Sequence, residues 1–199
     1  MFSAIAGMIF CMVRLHLVMY NLIITFVLLG LYSVPVMPFK QLHFTRKAGV
    51  VKTILLSFTW AFVTILIPLQ IPVFQMSNAA VLLFINRFLF MLMLCIIFDK
   101  RDAAVDKIRG LHSLATAIKP GSLHYFMALV LLGYIWATLK MTVYQVNSWH
   151  VAALIIAGLI TQFIYVLSLQ KRGYLFYYFV VDGLMFLSAM FTGIVAVLK

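Results

Sequence analysis

The chain contains no glutamate and only four aspartates among its 199 residues. Charged residues of both signs make up 10% of it, whereas a soluble domain carries about 25%. That shortage excludes an ordinary water-soluble globular protein, and no polar stretch is long enough to form a soluble domain. Cysteine is nearly missing too. Cys11 and Cys95 both lie in apolar runs, which argues against a disulfide framework or a metal pair. A cleavable signal peptide is not expected, because Met1 to Val13 lacks a basic leader and a small-x-small cleavage site. Two further absences narrow the class. No alternation of polar and apolar residues over about 10 positions suggests barrel strands. No tandem repeat is evident.

What is present is apolar length. Hydrophobic residues account for 66% of the chain. A spanning helix needs about 20 mostly apolar residues. Seven segments qualify or nearly do: Phe2 to Val13, Leu17 to Val34, Val51 to Leu69, Ala79 to Phe98, Leu123 to Tyr144, His150 to Leu169 and Gly173 to Leu198. The expected fold class is an all-α membrane protein, a single bundle of about seven transmembrane helices spanning residues 1–199.

Charge gives an orientation. Lys40, Arg46, Lys47 and Lys52 lie between or at the start of segments two and three. Lys100, Arg101, Lys107, Arg109 and Lys119 lie between four and five, and Lys171 and Arg172 between six and seven. The intervening loops Gln70 to Asn78 and Gln145 to Trp149 carry no charge. Basic residues on alternate loops mark those loops as cytoplasmic in a multi-pass integral membrane protein. The net charge of +11 is spread over these short loops, so it points to an anionic membrane surface and not to nucleic acid.

The four acids are unevenly placed. Asp99, Asp102 and Asp106 fall within DKRDAAVDKIRGLHS, directly after the apolar run that ends at Phe98. Their spacing of i, i+3, i+7 puts all three on one side of a helix. One reading is a solvated loop in which each Asp pairs with a neighbouring Lys or Arg, worth little. The other is a metal–phosphate site. Mg²⁺ is held by one or two carboxylates plus substrate phosphates, and basic neighbours then meet the phosphate oxygens. The concentration of acids here favours the second. Gly110 then suits a helix end, and His112 reads as an interfacial residue.

Other polar residues sit in apolar surroundings. Tyr32 and Ser33 precede Pro35 and Pro38, with Lys40 just beyond, a pattern also expected of a helix leaving the membrane. Asn86 and Arg87 lie inside the fourth segment, and Arg87 precedes Asp99 by roughly 18 Å of helix. A cation at that depth faces the protein interior or a watery cavity, so Asn86 and Arg87 are candidate pocket residues. Asp182, inside the seventh segment, is a possible partner for Arg87 or a protonated donor. Asn21 and Gln162 suit hydrogen bonds between helices.

The run FDKRDAAVDKIRGLHSLA resembles the second Asp-rich motif of the UbiA-type intramembrane prenyltransferases. Asp102 and Asp106 match the D-x3-D core, Asp99 the polar position before it, and Gly110 with Ser113-Leu114-Ala115 the tail. Tyr32-Ser33-x-Pro35 followed by Lys40 is similar to the family's Tyr-Ser-x-Pro…Lys segment. Lys52 to Pro68 with Trp60, and Tyr177-Tyr178 to Asp182-Gly183, are similar to later helices. The resemblance runs along essentially the whole chain and implies helices three to nine of a nine-helix fold, the first two being absent. The family's first Asp-rich motif, N-D-x2-D-x3-D, has no match here.

The resemblance implies Mg²⁺-dependent transfer of a polyprenyl group from its diphosphate to a hydrophobic or aromatic acceptor. Asp99, Asp102 and Asp106 would serve the metal. Lys40, Lys100, Arg101 and Lys107 would contact the diphosphate, and Tyr32, Asn86, Arg87 and Asp182 would be polar pocket residues. The implied partners are polyprenyl diphosphate, acceptor and membrane lipid, with no nucleic acid. The rival expectation is a non-catalytic membrane protein that binds isoprenoid or lipid phosphates, or acts as a partner subunit. A transporter using Arg87 and Asp182 finds no inverted repeat to support it. The D-G-x2-A-R core of CDP-alcohol phosphotransferases is absent.

Overall fold

An apolar helix buries its own backbone polar groups, which is why a chain this poor in charge resolves into helices inside a bilayer. In the computed structural model, residues 19–33, 45–69, 75–108, 113–144, 146–170 and 172–197 are described; the side chains of 32, 33, 45–48, 120 and 195–197 are not. Every regular element among them is helical. In order they are α1 (Met19–Ser33), α2 (Thr45–Leu69), α3 (Asn78–Ile108), α4 (Leu114–Ala117), α5 (Pro120–Lys140), α6 (Ser148–Ser168) and α7 (Asp182–Val197). A 3₁₀ turn, Met141–Tyr144, extends α5, and a π-helical turn, Phe176–Val181, leads into α7.

Five helical stretches are long and apolar enough to cross a membrane: Gly49–Leu69, Asn78–Ile108, Gly121–Tyr144, Ser148–Ser168 and Phe176–Ile194. This is a helical, multi-pass membrane architecture. The expected count of seven is reached only in part. Of the segment Leu17 to Val34, the described part, Met19–Ser33, is the shorter apolar helix α1, and Phe2 to Val13 lies outside the described residues.

The bundle is built around α3. At 31 residues it is roughly 46 Å long, well beyond the ~30 Å of a hydrocarbon core. Between Phe90 and Ile97 nearly every side chain is buried, whichever way it points, as expected of a helix surrounded by others. α2 and α5 pack along it, α6 and the π-helical turn touch it, and α7 packs on α6. Phe58 of α2 meets Phe84 and Phe88 of α3 edge-on, with ring centroids 5.2 and 6.4 Å apart.

Polar residues join the helices. Asn86 of α3 donates through Nδ2 to Thr138 Oγ1 of α5 at 2.6 Å. Tyr134 of α5 donates to the Leu154 carbonyl of α6 at 2.8 Å. Asn21 of α1 donates to the Leu66 carbonyl of α2 at 3.4 Å. Such bonds bind helices where hydrophobicity cannot, since lipid is as apolar as the core. At Gly158 of α6, an added methyl would lie 2.5 Å from Cε1 of Tyr134. The absent side chain therefore lets α5 and α6 approach closely.

Neighbouring helices alternate in direction. The start of α2, the end of α3, all of α4, the start of α5, the end of α6 and the start of α7 share one end of the bundle. Asp99, Asp102 and Asp106 lie there with Lys52, Lys100, Arg101, Lys107, Lys119 and Arg172.

Candidate functional site

α3 does not stop where its apolar run stops. It passes Phe98 and stays helical to Ile108, through the helix formers Lys100, Arg101, Ala103, Ala104 and Lys107. The three aspartates therefore occupy consecutive turns on one side of a regular helix. Their surroundings nevertheless separate them.

Asp99 serves as a tie between elements. Its Oδ2 accepts from Thr53 Oγ1 of α2 at 2.7 Å and from the backbone N–H of Leu114, first residue of α4, at 3.1 Å. Ser113, just before it, donates its N–H to Thr116 Oγ1 at 2.8 Å. The Ser113-Leu114-Ala115 tail is thus folded back onto α3 through one carboxylate.

Asp102 meets Arg101. The guanidinium forks onto it, Nε to Oδ1 at 2.7 Å and Nη2 to Oδ2 at 2.9 Å. This is the one ion pair among the described residues. Arg101 also lies over three rings, with Cζ 5.0 Å from the centroid of Phe98, 5.5 Å from Tyr177 and 5.2 Å from Tyr178. Tyr178 in turn stacks on Tyr174 at 3.9 Å. The π-helical turn brings these tyrosines to the end of α3; such turns recur at functional sites. Arg101 keeps one donor in reserve, because its Nη1 is buried and has no hydrogen-bond partner. Asp106 is half-buried one turn further on, between half-buried Lys100 and exposed Lys107 in the surrounding helix.

The remaining candidates divide. Lys40 and His112 lie outside the described residues. Tyr32 is in the last turn of α1, with its side chain outside the description. Asp182 opens α7 at an exposed position. Asn86 and Arg87 do line a common space, a cavity of about 550 Å³ toward the opposite end of the bundle. Arg87 donates through Nη1 to Ser188 Oγ at 3.0 Å and lies 5.5 Å from the Phe90 centroid. Ser188 is six positions along α7 from Asp182. The Arg87–Asp182 charge pair does not form.

Several residues escaped the sequence reading. Thr53 is one polar position in an apolar helix start, and only its contact with Asp99 distinguishes it. Ser188 and His150, both on the cavity wall, carried no local signal. Tyr177 and Tyr178 are adjacent in the sequence, but their partner Arg101 is more than seventy residues away along the chain.

A magnesium ion is implied by the resemblance, so its fit matters. Among the described residues, no three His, Cys, Asp or Glu side chains come together as a ready metal group. Mg²⁺ asks for less, one or two carboxylates with the rest from water and phosphate. Asp102 and Asp106, at i and i+4, present hard oxygens on one face. Arg101 would have to turn from Asp102 toward the incoming phosphate. The pair is partly exposed, with side-chain accessibilities of 26% and 46%, so opening it costs only about 1 kcal/mol or less. The donor set fits the ion on those terms.

Comparison with protein-family models, with curated proteins and with solved structures returns no match. The fold and the site together define a class: a multi-pass helical membrane protein with a mixed-charge, tyrosine-flanked cluster at one end and an arginine-lined cavity toward the other.

Proposed function

We propose that the Asp-rich end binds the diphosphate of a polyprenyl donor together with Mg²⁺, in a UbiA-like prenyltransferase that passes the prenyl group to a hydrophobic or aromatic acceptor. The observation that carries this reading is the Arg101 cluster. A buried guanidinium N–H without a partner, beside Asp102 and on a helix that also carries Asp106, Lys100 and Lys107, is arranged for an oxyanion with several oxygens. The resemblance of FDKRDAAVDKIRGLHSLA to the second Asp-rich motif supports a diphosphate as that oxyanion.

In this reading Asp102 and Asp106 hold the metal, while Asp99 keeps α2, α3 and α4 in register beneath them. Arg101 swings its fork from Asp102 to phosphate while its guanidinium stays against the two tyrosine rings. Bound Mg²⁺ supplies charge neutralisation for the departing diphosphate. Orientation sets this end on the cytoplasmic side, from the alternation of basic loops.

The test is binding of farnesyl diphosphate to the purified protein, with and without Mg²⁺. Mg²⁺ is expected to tighten binding; Asp102→Asn and Asp106→Asn are expected to remove that gain, and Asp182→Asn to matter less. Binding that ignores Mg²⁺ would overturn the metal assignment. It would favour a second reading, a non-catalytic binder of isoprenoid or lipid phosphates. One contact speaks for that alternative: both oxygens of Asp102 are already held by Arg101.

A further inference from the structure

Arg87 is a cation set in the apolar bundle without a carboxylate beside it. Its polar partner is the hydroxyl of Ser188, and the only ion pair among the described residues is elsewhere. From Ser77, just before α3, Arg87 lies roughly 15 Å along the helix, so its charge is carried well below the end of the bundle. An unneutralised charge at such a depth is costly unless water or an anion reaches it.

The space around Arg87 is suited to an anion. Among the described residues, the lining of the cavity of about 550 Å³ holds no acidic side chain. Its polar groups are mainly neutral: Asn86, Ser188, Thr192 and Ser77. His150, in the first turn of α6, lines it as well, and its buried Nδ1 has no hydrogen-bond partner. Helix ends of both polarities meet here, the starts of α3 and α6 and the ends of α2 and α5, so their dipoles offset each other. The sign of the field comes from Arg87. Most of the wall is apolar, including Ile65, Leu69, Leu83, Met141 and Leu154.

We infer that this cavity is a second binding site, for an amphiphile with a single carboxylate head and an alkyl body. One guanidinium neutralises one charge. A dianionic phosphate would keep an uncompensated charge against a largely apolar wall, which a monoanionic carboxylate avoids. A planar carboxylate also accepts the fork of an arginine with two parallel bonds. His150 supplies a further donor when Nδ1 carries the proton, and the alkyl chain lies against the aliphatic wall. The site is distinct from the Asp-rich end, separated from it by the roughly 18 Å of α3 between Arg87 and Asp99.

The experiment measures radiolabelled hexadecanoate on bead-bound, detergent-purified protein, competed by unlabelled hexadecanoate, hexadecanol or octanoate. The acid is expected to compete at least about tenfold better than the alcohol, the ratio that a charge-assisted hydrogen-bonded head confers. Arg87→Gln is expected to erase that preference and Arg87→Lys to keep part of it. Competition by octanoate points to a ligand arriving from water, and competition by hexadecanoate alone to one arriving from the bilayer; both support a carboxylate site. Equal competition by acid and alcohol in the unmodified protein overturns it, and this arm needs no variant to fold. Retention of the preference in Arg87→Gln also overturns it. Mg²⁺-dependent diphosphate binding is a separate readout, so either site can fail alone.

Discussion

Removing the Asp99 carboxylate is expected to loosen one end of the bundle far more than removing its neighbour Asp102. Asp99 Oδ2 accepts two hydrogen bonds, at 2.7 Å from Thr53 and 3.1 Å from the Leu114 N–H. A hydrogen bond to a charged group contributes about 1.5–3 kcal/mol, and a buried donor left without a partner costs about 1–3 kcal/mol. Asp99 is half-buried, so water replaces part of what is lost. Thr53 also has the Gly49 carbonyl within 3.1 Å as an alternative acceptor. The Leu114 N–H and the link between α2 and α4 carry the remaining loss, which amounts to ~3 kcal/mol for Asp99→Ala. For Asp99→Asn the amide oxygen still accepts, and the cost falls to ~1 kcal/mol. Asp102→Asn breaks a partly exposed pair, and its effect stays below about 1 kcal/mol. The assay is reversible unfolding of the purified protein in mixed micelles, with amide exchange followed at Leu114. Asp99→Ala should speed exchange there without touching the amides of α6. Equal stability losses for Asp99→Ala and Asp102→Asn would refute the division of labour among the three acids.

Two further outcomes follow from packing and charge. Gly158→Ala places a methyl 2.5 Å from a Tyr134 ring carbon and is expected to destabilise the protein by about 1–3 kcal/mol, read by unfolding in micelles. Tyr134→Leu in the same background should recover part of the loss, because the ring is what the methyl meets. Arg101→Lys keeps the charge but loses the fork and the stacking on Tyr177 and Tyr178. It is expected to weaken farnesyl diphosphate binding by about tenfold while changing stability by less than about 1 kcal/mol.

The positions of the membrane spans were legible because apolar length is a local signal. Val51 to Leu69, Ala79 to Phe98 and Leu123 to Tyr144 fall inside long apolar helices, and His150 to Leu169 overruns its helix, Ser148–Ser168, by one residue. The helical register of Asp99, Asp102 and Asp106 was legible for the same reason, since i, i+3, i+7 needs only a continuing helix. What the three do was not. Asp99 turns to Thr53, forty-six residues away, and Arg87 to Ser188, a hundred and one residues away. Contacts of that range are set by which helices pack together, and no periodicity along one helix encodes it. The pairing of Asp102 with the adjacent Arg101 was the bland local expectation, and it is formed. Asn86 and Arg87 share a cavity wall, and depth in the helix is the one local feature they have in common. The π-helical turn that delivers Tyr177 and Tyr178 left no mark distinguishable from ordinary helix.

α3 is the longest rod in the bundle, with 31 residues against 19 to 24 in the other spans. Its excess length makes the acidic turns a fixed gauge of membrane thickness. In a thin bilayer they stand clear in water; in a thick, sterol-rich one the headgroups rise around them. Shorter neighbours cannot slide to compensate, so in a thick bilayer the lipid must thin around the bundle, at a modest cost, or leave Asp102 among the headgroups. Any activity housed on that overhang should therefore change with acyl-chain length, even when nothing in the protein has been altered.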